Sequence, residues 1–229
     1  MKQLIKKFYF PSGSSRKVFF GPYRGLVFNI SNKRDRISIF YKYYEKEISL
    51  YLKSIIKQNM QIIDVGAHYG IHVLFIWKLM KGTGNIYAFE PWEENYNLLS
   101  KNIESNNAKN IIAVPKAVSS SVKKVRLVEG SGTGEHHIGE VGNESLNSTE
   151  TVILDNFFVM YNIIPNLILI DVEGHETEVL IGGSKSIKKS KPILIIEHHN
   201  QVEKVVHKIK ELGYSKYKNM GRHIITLNE

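Results

Sequence analysis

Three short stretches of this chain place acidic residues and glycines where chemistry is done, at the ends of apolar runs. The first is Asp64-Val65-Gly66-Ala67-His68-Tyr69-Gly70. It closes the apolar run 62–65 and opens a helical pattern, so backbone can approach a ligand at a helix N-terminus. The dinucleotide pattern G-x-G-x-x-G brings backbone against a pyrophosphate at its middle glycine. Here the pattern is D-x-G-x-x-x-G, with Ala67 and His68 in that region. The plainer reading is an ordinary strand–turn–helix corner. The second stretch is Phe89-Glu90-Pro91. An acid at the end of the next strand can accept both hydroxyls of a ribose, and Pro91 starts a helix cleanly. Taken alone, Glu90 would be an acid favoured by a helix dipole.

The third stretch is Asp171-Val172-Glu173-Gly174-His175-Glu176. Asp171 and Glu173 project to one side of a strand end before the chain turns at Gly174. They can position and deprotonate an acceptor, or bind a metal. Against this stands helix capping by Glu173 and Glu176. The order His-Glu here is not H-E-x-x-H, which removes the zinc-protease reading. Farther on, Glu197-His198-His199 ends another apolar run and can face the same side.

The elements that must carry these groups follow from the pattern. Strands are expected at 62–65, 85–89, 111–114, 124–128, 167–171 and 193–197, and helices at 69–80, 91–106, 155–161, 176–189 and 202–212. The alternation implies a parallel sheet covered on both faces, with ligands beyond the carboxyl ends of its strands. A hairpin is expected from 214–217 and 223–227. Ahead of this, strands at 17–20 and 25–30 and a helix at 41–57 read as a cap over 1–58, leaving 59–229 as the main domain. The polar, glycine-bearing stretch 130–148 reads as a mobile loop.

Composition narrows the field further. The 229 residues include 31 Lys+Arg against 22 Asp+Glu, a formal net charge of +9. That balance can draw in nucleic acid, anionic membrane or an acidic substrate. Yet only six basic residues are Arg, at 16, 24, 34, 36, 126 and 222. The N-terminal ones, with Lys17, Lys33 and Tyr23, form the one candidate anionic contact surface. No cysteine is present, which excludes disulfides, thiolate metal sites and a cysteine nucleophile. No apolar run approaches the roughly 18 residues of a membrane span, and no export signal is visible, so a cytoplasmic protein is expected.

In combination these stretches resemble the FkbM family of S-adenosylmethionine-dependent methyltransferases. The matching elements are Ile63 to Gly70, Phe89-Glu90-Pro91, Asn102, Ala117-Val118-Ser119, Leu154-Asp155, Ile170 to Glu176, and Pro192 before the run ending in Glu197-His198. The similarity runs from about Tyr44 to His199. The resemblance implies an α/β Rossmann-like methyltransferase fold: a mostly parallel sheet, helices on both faces and an antiparallel strand near the edge. It also implies methylation of a hydroxyl oxygen on a sugar or small metabolite. His68 departs from an expected Asn, and His72 from a more usual Tyr or Thr.

S-adenosylmethionine lacks a pyrophosphate, which agrees with the missing middle glycine. Asp64, Gly66, Ala67, His68, Tyr69, Gly70, Phe89, Glu90, Pro91, Ala117 and Val118 are therefore the expected cofactor contacts. Lys116 to Val118 would flank the adenine, and the loop 130–148 would close over the acceptor. In-line methyl transfer needs alignment and a base for the hydroxyl proton. Asp171 or Glu173 is the expected base, with His175 or His198 behind them, and no essential metal is expected. The acceptor partner is a glycan or small molecule. A nucleic-acid methyltransferase on the same fold is the alternative, but no basic-aromatic stripe supports it. A non-catalytic cofactor-binding protein is the other.

Overall fold

The computed structural model describes residues 15–29, 44–129, 136–139 and 148–227. The chain first makes a small hairpin, β1 (Ser15–Lys17) and β2 (Val27–Asn29), then α1 (Lys46–Ile55). The main layer alternates β3 (Gln61–Val65), α2 (Ile71–Leu79), β4 (Asn85–Phe89), α3 (Glu93–Ser105) and β5 (Ile111–Val114). A second sheet follows from β6 (Ala117–Val118), β7 (Lys124–Glu129), β8 (His136–Gly139) and β9 (Ser148–Val152). The chain returns through α4 (Leu154–Met160), β10 (Leu167–Ile170), α5 (Glu176–Gly182), α6 (Ser184–Ser190), β11 (Ile193–Glu197) and α7 (Val202–Glu211). It ends in the hairpin β12 (Tyr217–Met220) and β13 (His223–Thr226).

The main sheet has the order β12-β13-β11-β10-β3-β4-β5. β5, β4, β3, β10 and β11 are parallel, and β13 runs antiparallel between β11 and the edge strand β12. Winding goes outward from β3 to β5, then reverses to lay β10 on the other side of β3. Side chains alternate between two cores, as a sheet covered on both faces requires. Ile62, Leu167 and Leu169 face one core with α2, while Ile63, Ile168 and Ile170 face the other with α5 and α7.

α2 explains the N-terminal segment. Its residues Ile71, Val73, Leu74, Phe75 and Ile76 are all buried, so the helix has no face suited to water. The hairpin covers it, with the Tyr23 ring 5.0 Å from that of Phe75 and Phe28 in the same core.

Three expectations are corrected. The strand expected at 17–20 lies earlier, at β1, because Phe19 and Phe20 are exposed at the hairpin tip (64% and 78%) and only mimic a strand in composition. The helix expected over 176–189 is broken into α5 and α6, where Gly182 passes β6 so closely that a Cβ would stand 2.2 Å from the Ser119 carbonyl oxygen. The stretch expected as a loop contains β8, and β9 begins at Ser148; both pair with β7. Residues 130–135 and 140–147 of that stretch lie outside the described residues, as do Lys33, Arg34 and Arg36. No helix among the described residues is long and apolar enough to cross a membrane.

Candidate active site

Register assembles the three stretches. Val65 on β3 pairs with Ile170 on β10 and Phe89 on β4, so Gly66, Asp171 and Glu90 follow side by side at the carboxyl edge. Backbone bonds close the junction: Gly66 and Ala67 each donate to the Phe89 carbonyl at 2.9 Å, and Asp171 donates to that of Val65 at 2.9 Å. This is also where the winding reverses, the position at which open α/β sheets hold ligands.

The turn after β3 is built by backbone demands. Gly66 has φ +88°, and a Cβ there would stand 1.8 Å from the Asp171 carbonyl oxygen. His68 has φ +50°, a left-handed conformation in which Asn, Asp and His are enriched. That accounts for the His here. The His68 N–H donates to Glu90 Oε2 at 2.7 Å, and the Trp92 N–H donates to Glu90 Oε1 at 2.9 Å. Asn102 anchors the turn from α3, its Nδ2 donating to the Tyr69 carbonyl at 2.8 Å. Ala67 and Tyr69 are buried, and Gly70 caps the N-terminus of α2. Pro91 is half-buried beside Glu90. Val118 packs in one core with Val65 and Phe89, and Ala117 is buried beside it on β6.

Two buried acids face this turn. Burial pushes the Glu90 carboxyl up to about 7, against the N–H bonds from Trp92 and His68 and a side-chain bond from Asn95. Burial pushes Asp64 up to about 6, with His72 pulling the other way. A folded-state pKa above the ordinary carboxyl value means that the folded chain holds the extra proton. The stability from Glu90 is therefore full below about pH 4.5 and is lost as pH rises through about 7. Glu90→Gln carries no charge at any pH. The ligand-free variant is expected to gain melting temperature relative to the parent between about pH 5 and about pH 8. A difference that stays constant across a pH series of melting curves would contradict the buried charge.

On the β10–β11 side stands a denser acidic group. His199 Nδ1 lies 2.6 Å from Glu176 Oε1, which also accepts the Gly174 N–H at 2.9 Å. His199 Nε2 lies 3.2 Å from Glu173 Oε2, 3.7 Å from Asp171 Oδ1 and 3.8 Å from Glu197 Oε1. Glu197 also meets Arg222 at 2.8 Å and His223 at 3.5 Å. From α2, His72 Nε2 lies 2.9 Å from Glu45 Oε2. Burial alone would lower the His199 imidazole, but Glu176, Glu173 and Glu197 outweigh it and hold its pKa above the usual range. Asp171 is pushed well up by desolvation and by the charges of Glu197, Glu45, Glu173 and Asp64, although its side chain is 48% exposed.

The structure thus brings Asp171 and Glu173 together but turns His175 away. His175 Nε2 meets Ser119 Oγ on the β6 side at 3.0 Å, and burial holds its pKa low. His198 donates its backbone N–H to the Arg222 carbonyl, and it is the next residue, His199, that reaches the carboxylates. Sequence reasoning singled out the Glu-His-His run without giving His199 a role. The signal was present: Glu197 and His199 share one side of a strand end by the i, i+2 rule.

Comparison with known proteins gives the family. Residues 64–216 match the family described as Methyltransferase FkbM domain, which is more than half of the chain. The chain belongs to the FkbM methyltransferase family. Over 160 residues it is 27% identical to the Hexuronic acid methyltransferase AglP of Haloferax volcanii, covering 69% of this chain and 64% of that protein. Among solved structures, an FkbM methyltransferase of Methylobacillus flagellatus superposes with a TM-score of 0.57 at 16% identity, over 75% of this chain and 44% of its own. An Aeropyrum pernix fibrillarin with bound S-adenosyl-L-methionine superposes at 0.50 and 10% identity, over 78% of this chain and 72% of its own. These likenesses establish a Rossmann-like methyltransferase fold, and the family is the S-adenosylmethionine-dependent one that the sequence motifs resemble.

Proposed function

We propose that this chain methylates a hydroxyl oxygen of a sugar or similar small acceptor, with S-adenosylmethionine as donor. One observation carries the reading: the acidic group of Asp171, Glu173 and His199 opens onto the same strand edge as Gly66 and Glu90. The residues there fit the donor. The bare Cα of Gly66 lets the Asp171 backbone close against the turn, Glu90 suits the ribose hydroxyls, and Asp64 suits the ammonium group. Ala117 and Val118 are assigned to the adenine side, with Phe89 beneath. When bound, the cofactor would supply a sulfonium methyl carbon with sulfur as its leaving group, to an acceptor hydroxyl that gives up its proton.

The chain's own residues hold the acceptor and take that proton. A hydroxyl is a poor nucleophile until a positioned base is within hydrogen-bond reach. Asp171 has the better claim, because it is accessible and its raised pKa matches a proton acceptor more closely than an ordinary carboxylate does. Glu173 stands beside it. His175 is assigned to holding β6 through Ser119.

The relative named for hexuronic acid supports a sugar acceptor. The charge of +9 favours a nucleic acid, but the carboxylates gathered at this strand edge would repel phosphates, which supports the sugar reading. Glu90→Ala is expected to weaken S-adenosylmethionine binding by about 1.5–3 kcal/mol, the scale of a hydrogen bond to a charged group. Calorimetric titration reads this directly. Unchanged affinity would remove Glu90 from the cofactor site, and tight NADH binding without any response to S-adenosylmethionine would overturn the whole reading.

A further inference from the structure

The acidic group at the ends of β10 and β11 is more ordered than a base alone requires. One oxygen each of Asp171 and Glu173 and one nitrogen of His199 lie within 4.8 Å of one another. Donors held by one divalent ion at about 2.1–2.3 Å stand roughly 3–4.5 Å apart. The separations of 3.2 Å and 3.7 Å from His199 Nε2 fall in that span.

The histidine is fixed in the manner of a ligand. Metal-bound imidazoles present one nitrogen to the ion and give the other N–H to a carboxylate. Here Nδ1 is taken by Glu176 at 2.6 Å, so Nε2 is the nitrogen that meets Asp171 and Glu173. Glu176 is fully buried, with no exposed surface, and its Oε2 has no partner among the described residues. Gln201 holds the turn from the other side, its Nε2 donating to the Gly174 carbonyl at 2.7 Å.

Local charge points the same way. Glu45, Asp64, Asp171, Glu173 and Glu197 repel one another across the cleft, and Arg222 is the permanent positive charge recorded beside them among the described residues. A net charge of +9 leaves basic residues plentiful elsewhere in the chain, so this deficit is a property of the site.

We propose that Asp171, Glu173 and His199 form a binding site for a divalent cation at the acceptor side of the cleft. Two carboxylates and one imidazole suit Mn²⁺ and ions of its kind. Its role in turnover rests on the methyl-transfer reading above: the ion would offset part of the negative charge there and gather an oxygen-rich acceptor such as the hydroxyls of a sugar.

The ion itself is tested without cofactor, acceptor or turnover, so failure here and failure of the methyltransferase reading are distinct. Mn²⁺ is titrated into the full chain and free ion is followed by electron paramagnetic resonance. One Mn²⁺ per chain is expected. His199→Ala and Asp171→Asn should each weaken it at least about tenfold, and Glu176→Gln, which removes the orienting carboxylate, by about 10–100-fold. His207→Ala, on the exposed face of α7, should bind as the parent does. If His199→Ala does not fold, Asp171→Asn and Glu176→Gln carry the same comparison. No binding by about 1 mM Mn²⁺, the weak end of useful cation sites, or equal binding by parent and variants, overturns the proposal.

Discussion

Gly66→Ala is expected to cost about 2–5 kcal/mol of folding stability and to abolish cofactor binding. Two penalties add at this position. A side chain in the left-handed region costs about 1–2 kcal/mol, and inserting an atom into a packed junction typically costs 1–3 kcal/mol. Gly66 has φ +88°, and the added Cβ would stand 1.8 Å from the Asp171 carbonyl oxygen, so backbone must move on one side or the other. That backbone joins the turn after β3 to the strand end after β10, which are the proposed donor and acceptor sides, and relieving the clash would pry them apart. Gly21 separates the two penalties, since it has φ +75° with nothing within 4 Å of an added Cβ. Gly21→Ala should show the smaller conformational cost alone. Denaturant unfolding of both variants checks the account, and a Gly66→Ala loss no greater than that of Gly21→Ala contradicts it.

The second large effect is kinetic. Asp171→Asn should lower methyl transfer by about 10²–10⁴, the usual contribution of a positioned base, with S-adenosylmethionine affinity near that of the parent. Asparagine keeps the shape of the side chain but cannot take a proton. It also removes one charge from a group whose members repel one another; desolvation first, and that repulsion with it, hold Asp171 well above the ordinary carboxyl range. Folding should therefore survive the change. Glu173→Gln is the companion variant, because Glu173 lies nearer to His199, at 3.2 Å. If both variants transfer methyl at the parental rate, the catalytic role given to this strand end is wrong.

The fold was legible where local pattern and tertiary environment agree. The apolar runs of β3, β4, β10 and β11 are short because they are buried on both faces, and such runs announce a parallel sheet. The turn after β3 and the acid after β4 were legible for a related reason. Gly66, His68 and Glu90 answer backbone requirements of the turn itself, so their spacing is visible in one dimension. What escaped depends on pairing across long distances. β8 and β9 are polar, and their strand character comes from ladders to β7 that composition does not signal. The break between α5 and α6 comes from the close pass of Gly182 against β6. The acidic group escaped in part because Glu45, Glu197 and the pair Arg222 and His223 reach it from three separate segments. His199 was within reach of the strand alternation rule, but its partner Glu176 read as a helix-capping acid, and their contact exists only once α5 packs beside β11.

The central claim is that one strand edge holds the donor at Gly66 and Glu90 and the acceptor at Asp171 and Glu173. Its most direct test is transfer of isotopically labelled methyl from S-adenosylmethionine, by the parent and Asp171→Asn side by side, into pools of glycans, small metabolites and RNA. The account predicts label appearing in an O-methyl group on a sugar or small molecule with the parent. With the variant, that signal should fall by about 10²–10⁴ while cofactor binding persists. Label incorporated into RNA, or equal incorporation by parent and variant, would contradict it.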